Sequence, residues 1–428
     1  MKNTERNCVV IGGGIAGLTA SIYLERAGLS VTLIEKAKTI GGRAKTEVMD
    51  GSYVNLGPHA LYSKGKSLEI LAELSISPKG NSPAIGGKVF YNDSPYNLPA
   101  NPFSVLTSDL FNWRGKMELL RFFILLQTKK LKSNREISVD QWLHENIKDE
   151  RVQKFILMLI RLSSYCNDPD RLRAEVAFKQ LQLGKAIYVH NGWQSIIEEL
   201  KEKAEKLGVI IQAGASVQQI KGKFPQFEVK LSNNKSIFTP YILSTASPNE
   251  LRKFLQGYEI DAINELIPVR AACLDIVLNN IPNPTVSFAL SMDHPLYFSN
   301  HSNVATLSDN QSHSVIHVMK YLSINEPRTD LKPELEQFLS RVQPGWEKHV
   351  ISKRYLPNIT VTNSMMKKQK NEMEQIPGLF IAGDWVGAEG MLVDSSFFSA
   401  KQAAMSIIEL NEKRECSDDG NGGSIYAV

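Results

Sequence analysis

A strand, a glycine-rich turn and a helix in immediate succession constrain a fold tightly, and this chain opens with that arrangement. Cys8-Val9-Val10-Ile11 is a short apolar run of strand type, Gly12-Gly13-Gly14-Ile15-Ala16-Gly17 follows it, and apolar residues recur at helical spacing from Ile15 to Ala27. Gly28 ends that helix and Val31 to Ile34 restores a strand, within the roughly 30 residues of one βαβ unit. Gly12 permits the tight turn, Gly14 lets the backbone approach a pyrophosphate, and Gly17 lets helix and strand pack closely. The helix N-terminus then offers unpaired N–H groups to phosphates. Glu35 ends the second strand, and it and Lys36 beside it are expected to bind the cofactor. The Glu35 carboxylate is placed to accept from a ribose 2′-OH and would repel a 2′-phosphate, so the dinucleotide is FAD or NAD, not NADP.

The chain of 428 residues is 43% hydrophobic and 22% charged, enough for a large core and more than one domain. A net charge of +4 argues against nucleic acid as a partner. The cysteines Cys8, Cys166, Cys273 and Cys416 form no CxxC pair, so neither a zinc site nor a disulfide framework is indicated, and a reducing, cytoplasmic setting fits. The first residues lack a signal-peptide pattern, and no long uncharged apolar stretch predicts a membrane span. Lys88–Tyr91 and Tyr96–Leu98 predict a hairpin, 115–163 is mostly helical, and 193–207 is an amphipathic helix. Runs at 209–212, 215–221, 226–231 and 236–244 predict a strand meander, and 271–321 another sheet-rich section. Leu379–Ala382 is a buried strand followed by a helix over about 393–410, and the polar tail from Glu412 to Val428 is expected to be disordered.

Gly41-Gly42-Arg43 after the second strand resembles the GGR segment of the flavin amine oxidases, protoporphyrinogen oxidases and carotenoid desaturases. The resemblance implies FAD, with Arg43 along its phosphates and Asn55-Leu56-Gly57-Pro58-His59-Ala60 passing the flavin ring. The C-terminal segment matches independently: Gly378–Asp384 resembles the family's late strand and GD motif, placing Gly383 and Asp384 at the ribityl or phosphate end. Gly390-Met391-Leu392-Val393 is similar to the segment whose following helix N-terminus addresses the N1/C2=O side of the ring, with Ser399-Ala400 in place of the usual SG. Val217 resembles the residue whose backbone contacts adenine, and Leu243–Pro248 the turn beneath the cofactor.

The same resemblance marks His59, Tyr62 and Met391 as residues that could line the substrate side, with His59 and Tyr62 the only candidates for a catalytic role; no metal site is indicated. In the run Leu266–Leu278 the resemblance puts Ala272 where many amine-oxidising relatives keep a lysine, which points to the desaturase and porphyrinogen oxidase side. Segment 101–132, with Phe103, Leu106, Phe111, Trp113 and 119–126 followed by Lys129, Lys130 and Lys132, suits an interfacial helix at the inner face of a membrane or a core helix with a basic end.

The expected architecture is an α/β, Rossmann-like FAD-binding domain of the GR2 type built from both chain ends, with a mixed α+β substrate domain. The boundaries fall at 1–78, 186–250 and 356–411 for the first, 79–185 and 251–355 for the second, and 412–428 for the tail. The expected activity is dehydrogenation or oxidation of a hydrophobic small molecule by transfer to flavin N5, with oxygen or a quinone as acceptor. The alternatives are an amine oxidase releasing H2O2 and a non-catalytic lipid-binding protein of the same fold.

Overall fold

A computed structural model describes residues 7–128, 137–256, 258, 263, 266–326, 330–364, 376–386 and 389–419. Lys129, Lys130 and Lys132 lie outside them.

The opening unit forms as its sequence dictates. Strand β1 (Asn7–Ile11), helix α1 (Ile15–Arg26) and strand β2 (Ser30–Glu35) follow one another, with Gly28 at φ +85° in the turn. The two strands are neighbours in a five-stranded parallel sheet whose order is 210–213, 30–35, 7–11, 241–244, 379–381. Alternation along β1 sends Cys8 and Val10 into one core, with α1 and helices Gln194–Leu207 and Leu392–Asp419, and Val9 and Ile11 into another. That second core is closed by an antiparallel meander of 217–223, 226–231 and 236–239.

Two expectations are corrected here. The predicted meander is three strands long, because Ile210–Ala213 and Tyr241–Ser244 join the parallel sheet instead. Tyr241–Ser244 is buried throughout, as a strand covered on both faces must be. The closing helix runs on through Asp419, into the segment expected to be disordered.

A seven-stranded sheet, ordered 350–362, 269–278, 314–322, 296–300, 288–291, 88–91, 94–97, forms the second body. Its strand Val269–Leu278 is apolar at most positions and lies between two partners, so both faces are covered. Ala271 and Cys273 face a core shared with helices Trp113–Gln127, Val139–Asn146, Glu150–Ser164 and Ala174–Leu181, whereas Ala272, Leu274 and Ile276 face helix Lys332–Val342.

Candidate functional site

The glycine loop is held by contacts that only glycine admits. Gly12 has φ +106°, and a Cβ there would meet Thr245 Oγ1 at 2.4 Å; a Cβ on Gly17 would lie 1.8 Å from the Gly12 carbonyl oxygen. Gly41 N donates to Gly13 O at 2.8 Å, bringing the second glycine pair against the first, and a Cβ on Gly42 would approach Gly14 Cα to 3.6 Å. A Cβ on Gly14 itself would find no atom closer than 3.9 Å, so the loop opens outward there. Helix α1 begins with Ile15 and Ala16, carries no side-chain cap and has no acidic residue in its first turn, which leaves its N–H groups open to an anion.

The Glu35 carboxylate accepts from Gly13 N (2.7 Å) and Ala37 N (2.8 Å), bonding strand β2 to the glycine loop. Gly214 N and Ala215 N donate to Ala37 O and Glu35 O, so the approach to the meander passes beside Glu35, and Val217 follows half-buried. Lys36 turns aside to an exposed ion pair with Glu250 at 3.1 Å.

The two motifs read separately in the sequence meet. Arg43 donates to both oxygens of Asp384 at 2.8 Å across 341 residues and to Val361 O at 3.0 Å. Asn363 donates to the same carboxylate through its backbone N (2.8 Å) and Nδ2 (3.0 Å). Burial would raise the Asp384 carboxyl, but Arg43 and then Asn363 outweigh it and hold it below the usual carboxylate range. Arg43 keeps 47% of its side-chain surface open to solvent, against 3% for Asp384. Gly383 N donates to Ser399 Oγ at 2.9 Å, tying the GD turn to the closing helix. Ser399 thus takes part in a close backbone contact although no glycine follows it.

Gly57, at φ +82°, starts the segment that the resemblance assigns to the flavin ring, and its N–H lies 3.4 Å from Asp275 Oδ2. Both ring nitrogens of His59 face carbonyl oxygens, Nδ1 that of Gly57 (3.0 Å) and Nε2 that of Arg43 (3.1 Å), and burial lowers its pKa. His59 therefore stands between the Arg43 and Gly57 turns, and as a neutral imidazole it donates its one N–H to one of the two carbonyls. Pro58 O accepts from Tyr165 Oη at 3.1 Å, Ala60 packs on the small core around Val54 and Tyr188, and Tyr62 donates to Ser163 O at 3.4 Å. Burial raises Tyr62, Tyr165 and Tyr321 above the ordinary tyrosine range, with Asp394 adding to it at Tyr62 and neighbouring phenols at Tyr165 and Tyr321.

In the late segment Met391 is buried in the helical core, Leu392 takes φ +54°, and Val393 packs on the core around α1. Asp394, in the first turn of the closing helix, accepts from Ser67 N at 2.8 Å. A buried carboxylate already meets the positive end that the resemblance assigns to an anionic flavin.

Ala272 needs correcting. One step along a strand reverses the face, and it is Cys273 that stands against Gly57, its Sγ 3.5 Å from where a Gly57 Cβ would be; Ala272 points to the opposite core. No lysine occupies either position. The sequence reading also missed Asn363 and Tyr165, which carry no motif of their own. It missed the buried row Arg354, Asp275 and His317 as well, because these residues become neighbours only through strand register. Among the described residues, Cys273, Asp275 and His317 bring potential metal-ligand atoms within 4.8 Å of one another, but Arg354 already pairs with the Asp275 carboxylate, and a guanidinium there opposes a metal cation.

A sequence profile of the family described as flavin containing amine oxidoreductase matches residues 15–273, more than half of the chain. The chain belongs to that family. It is accordingly an FAD-dependent oxidoreductase. It is 22% identical over 331 residues to coproporphyrinogen III oxidase of Bacillus subtilis, covering 67% of this chain and 69% of that protein. It is 28% identical over 185 residues to mitochondrial protoporphyrinogen oxidase of Nicotiana tabacum, covering 42% of this chain and 36% of that protein. Among solved structures, an oxidoreductase from Methanosarcina mazei shares the fold with a TM-score of 0.76 at 17% identity, over 94% of this chain and 100% of that one. The chain is also 24% identical over 217 residues to phytoene desaturase of Cercospora nicotianae, covering 46% of this chain and 35% of that protein, and a solved putrescine oxidase shares the fold with a TM-score of 0.72 at 15% identity, over 95% of this chain and 99% of that one. Among the described residues no helix is long and apolar enough to cross a membrane.

Proposed function

We propose that this oxidoreductase dehydrogenates an apolar small molecule, with FAD held by Gly12–Gly17, Glu35, Gly42–Arg43 and Gly383–Asp384. The open N–H groups of α1 and the outward gap at Gly14 fit a pyrophosphate, which supports the placement. On this reading the five-stranded sheet is one Rossmann-like cofactor unit assembled from both ends of the chain. Glu35 orients the ribose, and the half-open Arg43 turns its outer N–H edge to the phosphates while Asp384 fixes its inner edge. His59, packed between the Gly57 and Arg43 carbonyls, positions the Gly57–Ala60 segment against the ring. When bound, the flavin supplies the two-electron acceptor at N5. Oxygen or a quinone takes the electrons onward.

The single observation that carries the substrate reading is the wall of Tyr62, Tyr165 and Tyr321 beside Pro58, Tyr321 buried and the other two half-buried, backed by the helical core. Such a wall binds an extended apolar body and excludes water from it. Among the relatives named above, the porphyrinogen oxidases and the desaturase fit that substrate type better than an amine oxidase. Anaerobic mixing of the flavin-loaded protein with coproporphyrinogen III, a polyene, benzylamine and putrescine tests it by the rate of flavin bleaching. Faster bleaching by the porphyrinogen or polyene is expected, and rapid bleaching by the amines alone would overturn it.

We further read the outer face of helices Pro102–Thr107 and Trp113–Gln127 as a peripheral membrane contact. Phe103 (75% exposed), Trp113 (67%) and Ile124 (60%) stand out from the same helices whose Leu119, Phe122 and Leu126 are buried, with Arg114 and Arg121 exposed between them. Co-sedimentation with anionic vesicles that is lost on Trp113→Ser or at high salt is expected. Sedimentation unchanged by vesicles would contradict it.

A further inference from the structure

One polar row crosses the interior of the seven-stranded sheet. Arg354, Asp275, His317 and Ser299 stand opposite one another on four adjacent strands. Alternation puts His317 on the same face of its strand as Met319 and Tyr321, so the row shares the side of the sheet that carries the aromatic wall. It also lies against the segment assigned to the flavin ring, because Asp275 Oδ2 is 3.4 Å from Gly57 N and Arg354 donates to Asn55 O.

His317 is fully buried, and its Nδ1 lies 2.7 Å from Asp275 Oδ1. A carboxylate only accepts, so that nitrogen carries the ring proton and the lone pair of the neutral imidazole is on Nε2. Nε2 is buried with no partner. Beside it stands a second buried imidazole, His301, 4.6 Å away between ring centroids and stacked on Tyr188 at 3.7 Å; its Nε2 is unmatched as well. Cys273 Sγ donates to the Asp275 carboxylate at 3.1 Å, and His59 lies within electrostatic reach of both imidazoles. Burial, and then His317 and His59, hold His301 well below the ordinary histidine range, so a proton gained by the pair rests on His317. The charges favour it there: Asp275 and Glu47 set two negative charges against the one positive charge of Arg354, and a cation on His317 leaves the network neutral.

We propose that His317 is the proton-holding residue of the reaction, with Asp275 fixing its tautomer. Each dehydrogenation takes a hydride and a proton from the substrate. The hydride, with both electrons, goes to the bound FAD, and the proton is held on His317 Nε2 until the cofactor is reoxidised and the proton returns to solvent. This rests on the placement of FAD against Gly57. Reduction of the flavin-loaded protein above neutral pH then takes up two protons, one with the hydride equivalent and one at His317.

Equilibrium titration of the flavin-loaded protein against reference dyes, at several pH values above neutrality, counts these protons without any substrate. The wild-type potential should fall with pH at the slope of two protons per two electrons. His317→Asn, whose amide can still donate to Asp275 but holds no proton, should halve that slope, and His317→Gln should do the same. His301→Phe, which preserves a flat ring beside Tyr188, should leave the slope at its wild-type value. A one-proton slope in the wild type, which needs no variant, would overturn the inference alone and leave the row as scaffold. A halved slope in His301→Phe with an unchanged one in both His317 variants would put the proton on the other ring and overturn the assignment. Purified protein that holds no flavin would overturn the placement of FAD and this inference with it.

Discussion

Two buried aspartates, one in strand 269–278 and one in the turn after strand 379–381, are paired with arginines distant in sequence, and the pairs differ in how far they open. Asp384 meets Arg43, whose side chain is 47% exposed; Asp275 meets Arg354, whose side chain is 16% exposed and which also donates to Asn55 O and Glu47. The first guanidinium has an outer edge left to give to a ligand. The second is spent within the protein, joining strand 350–362 to strand 269–278 and both to the turn before Gly57, while His317 Nδ1 approaches the same carboxylate at 2.7 Å. An open pair belongs to a site, and a closed pair to the scaffold that shapes one.

If that distinction holds, the largest effect comes from breaking the closed pair. Asp275→Ala takes the buried carboxylate from both Arg354 and His317 and should cost about 3–5 kcal/mol, read as a fall in the urea midpoint; a midpoint within error of the wild type would erase the contrast. Next comes the open site. Glu35→Ala removes charge-assisted hydrogen bonds of about 1.5–3 kcal/mol, so FAD affinity should fall roughly ten- to a hundredfold, measured by fluorescence titration of deflavinated protein. An unchanged dissociation constant would move the ribose elsewhere.

Both aspartates respond to acid in the same direction. Burial raises each, yet His317 and then Arg354 hold Asp275 below the ordinary value, as Arg43 holds Asp384. A depressed carboxyl contributes stability that is present above the unfolded pKa of about 3.9 and is lost as pH falls through the folded value. The midpoint should therefore fall below about pH 4, less steeply in Asp275→Asn than in the wild type; parallel profiles would contradict it. The smallest effect belongs to Lys36, whose exposed pair with Glu250 is worth about 0–1 kcal/mol. Lys36→Ala should leave FAD affinity within about threefold, and a larger loss would return Lys36 to the cofactor.

Legibility followed the same division. The glycine loop, Glu35, the GGR turn and the GD turn were readable because each imposes a local backbone or charge requirement within a few residues. The meeting of Arg43 with Asp384 was not, since nothing in either motif states its partner. Asp275 lay hidden in an apolar strand, and Ala272 was assigned to the site because alignment alone cannot fix which face of a strand a residue takes. The polar tail was misjudged through Asp419 because helical continuation from Leu392 outweighed its weak hydrophobicity.

The account stands most directly on the glycine loop as the seat of FAD. The decisive measurement is the visible spectrum of freshly purified wild type beside that of Gly17→Val, at equal protein concentration and with far-ultraviolet circular dichroism to confirm folding. The wild type should be yellow and release intact FAD into an acid supernatant, while the variant, whose Cβ would strike the Gly12 carbonyl, should be folded and colourless. Equal flavin content in the two proteins would contradict the account.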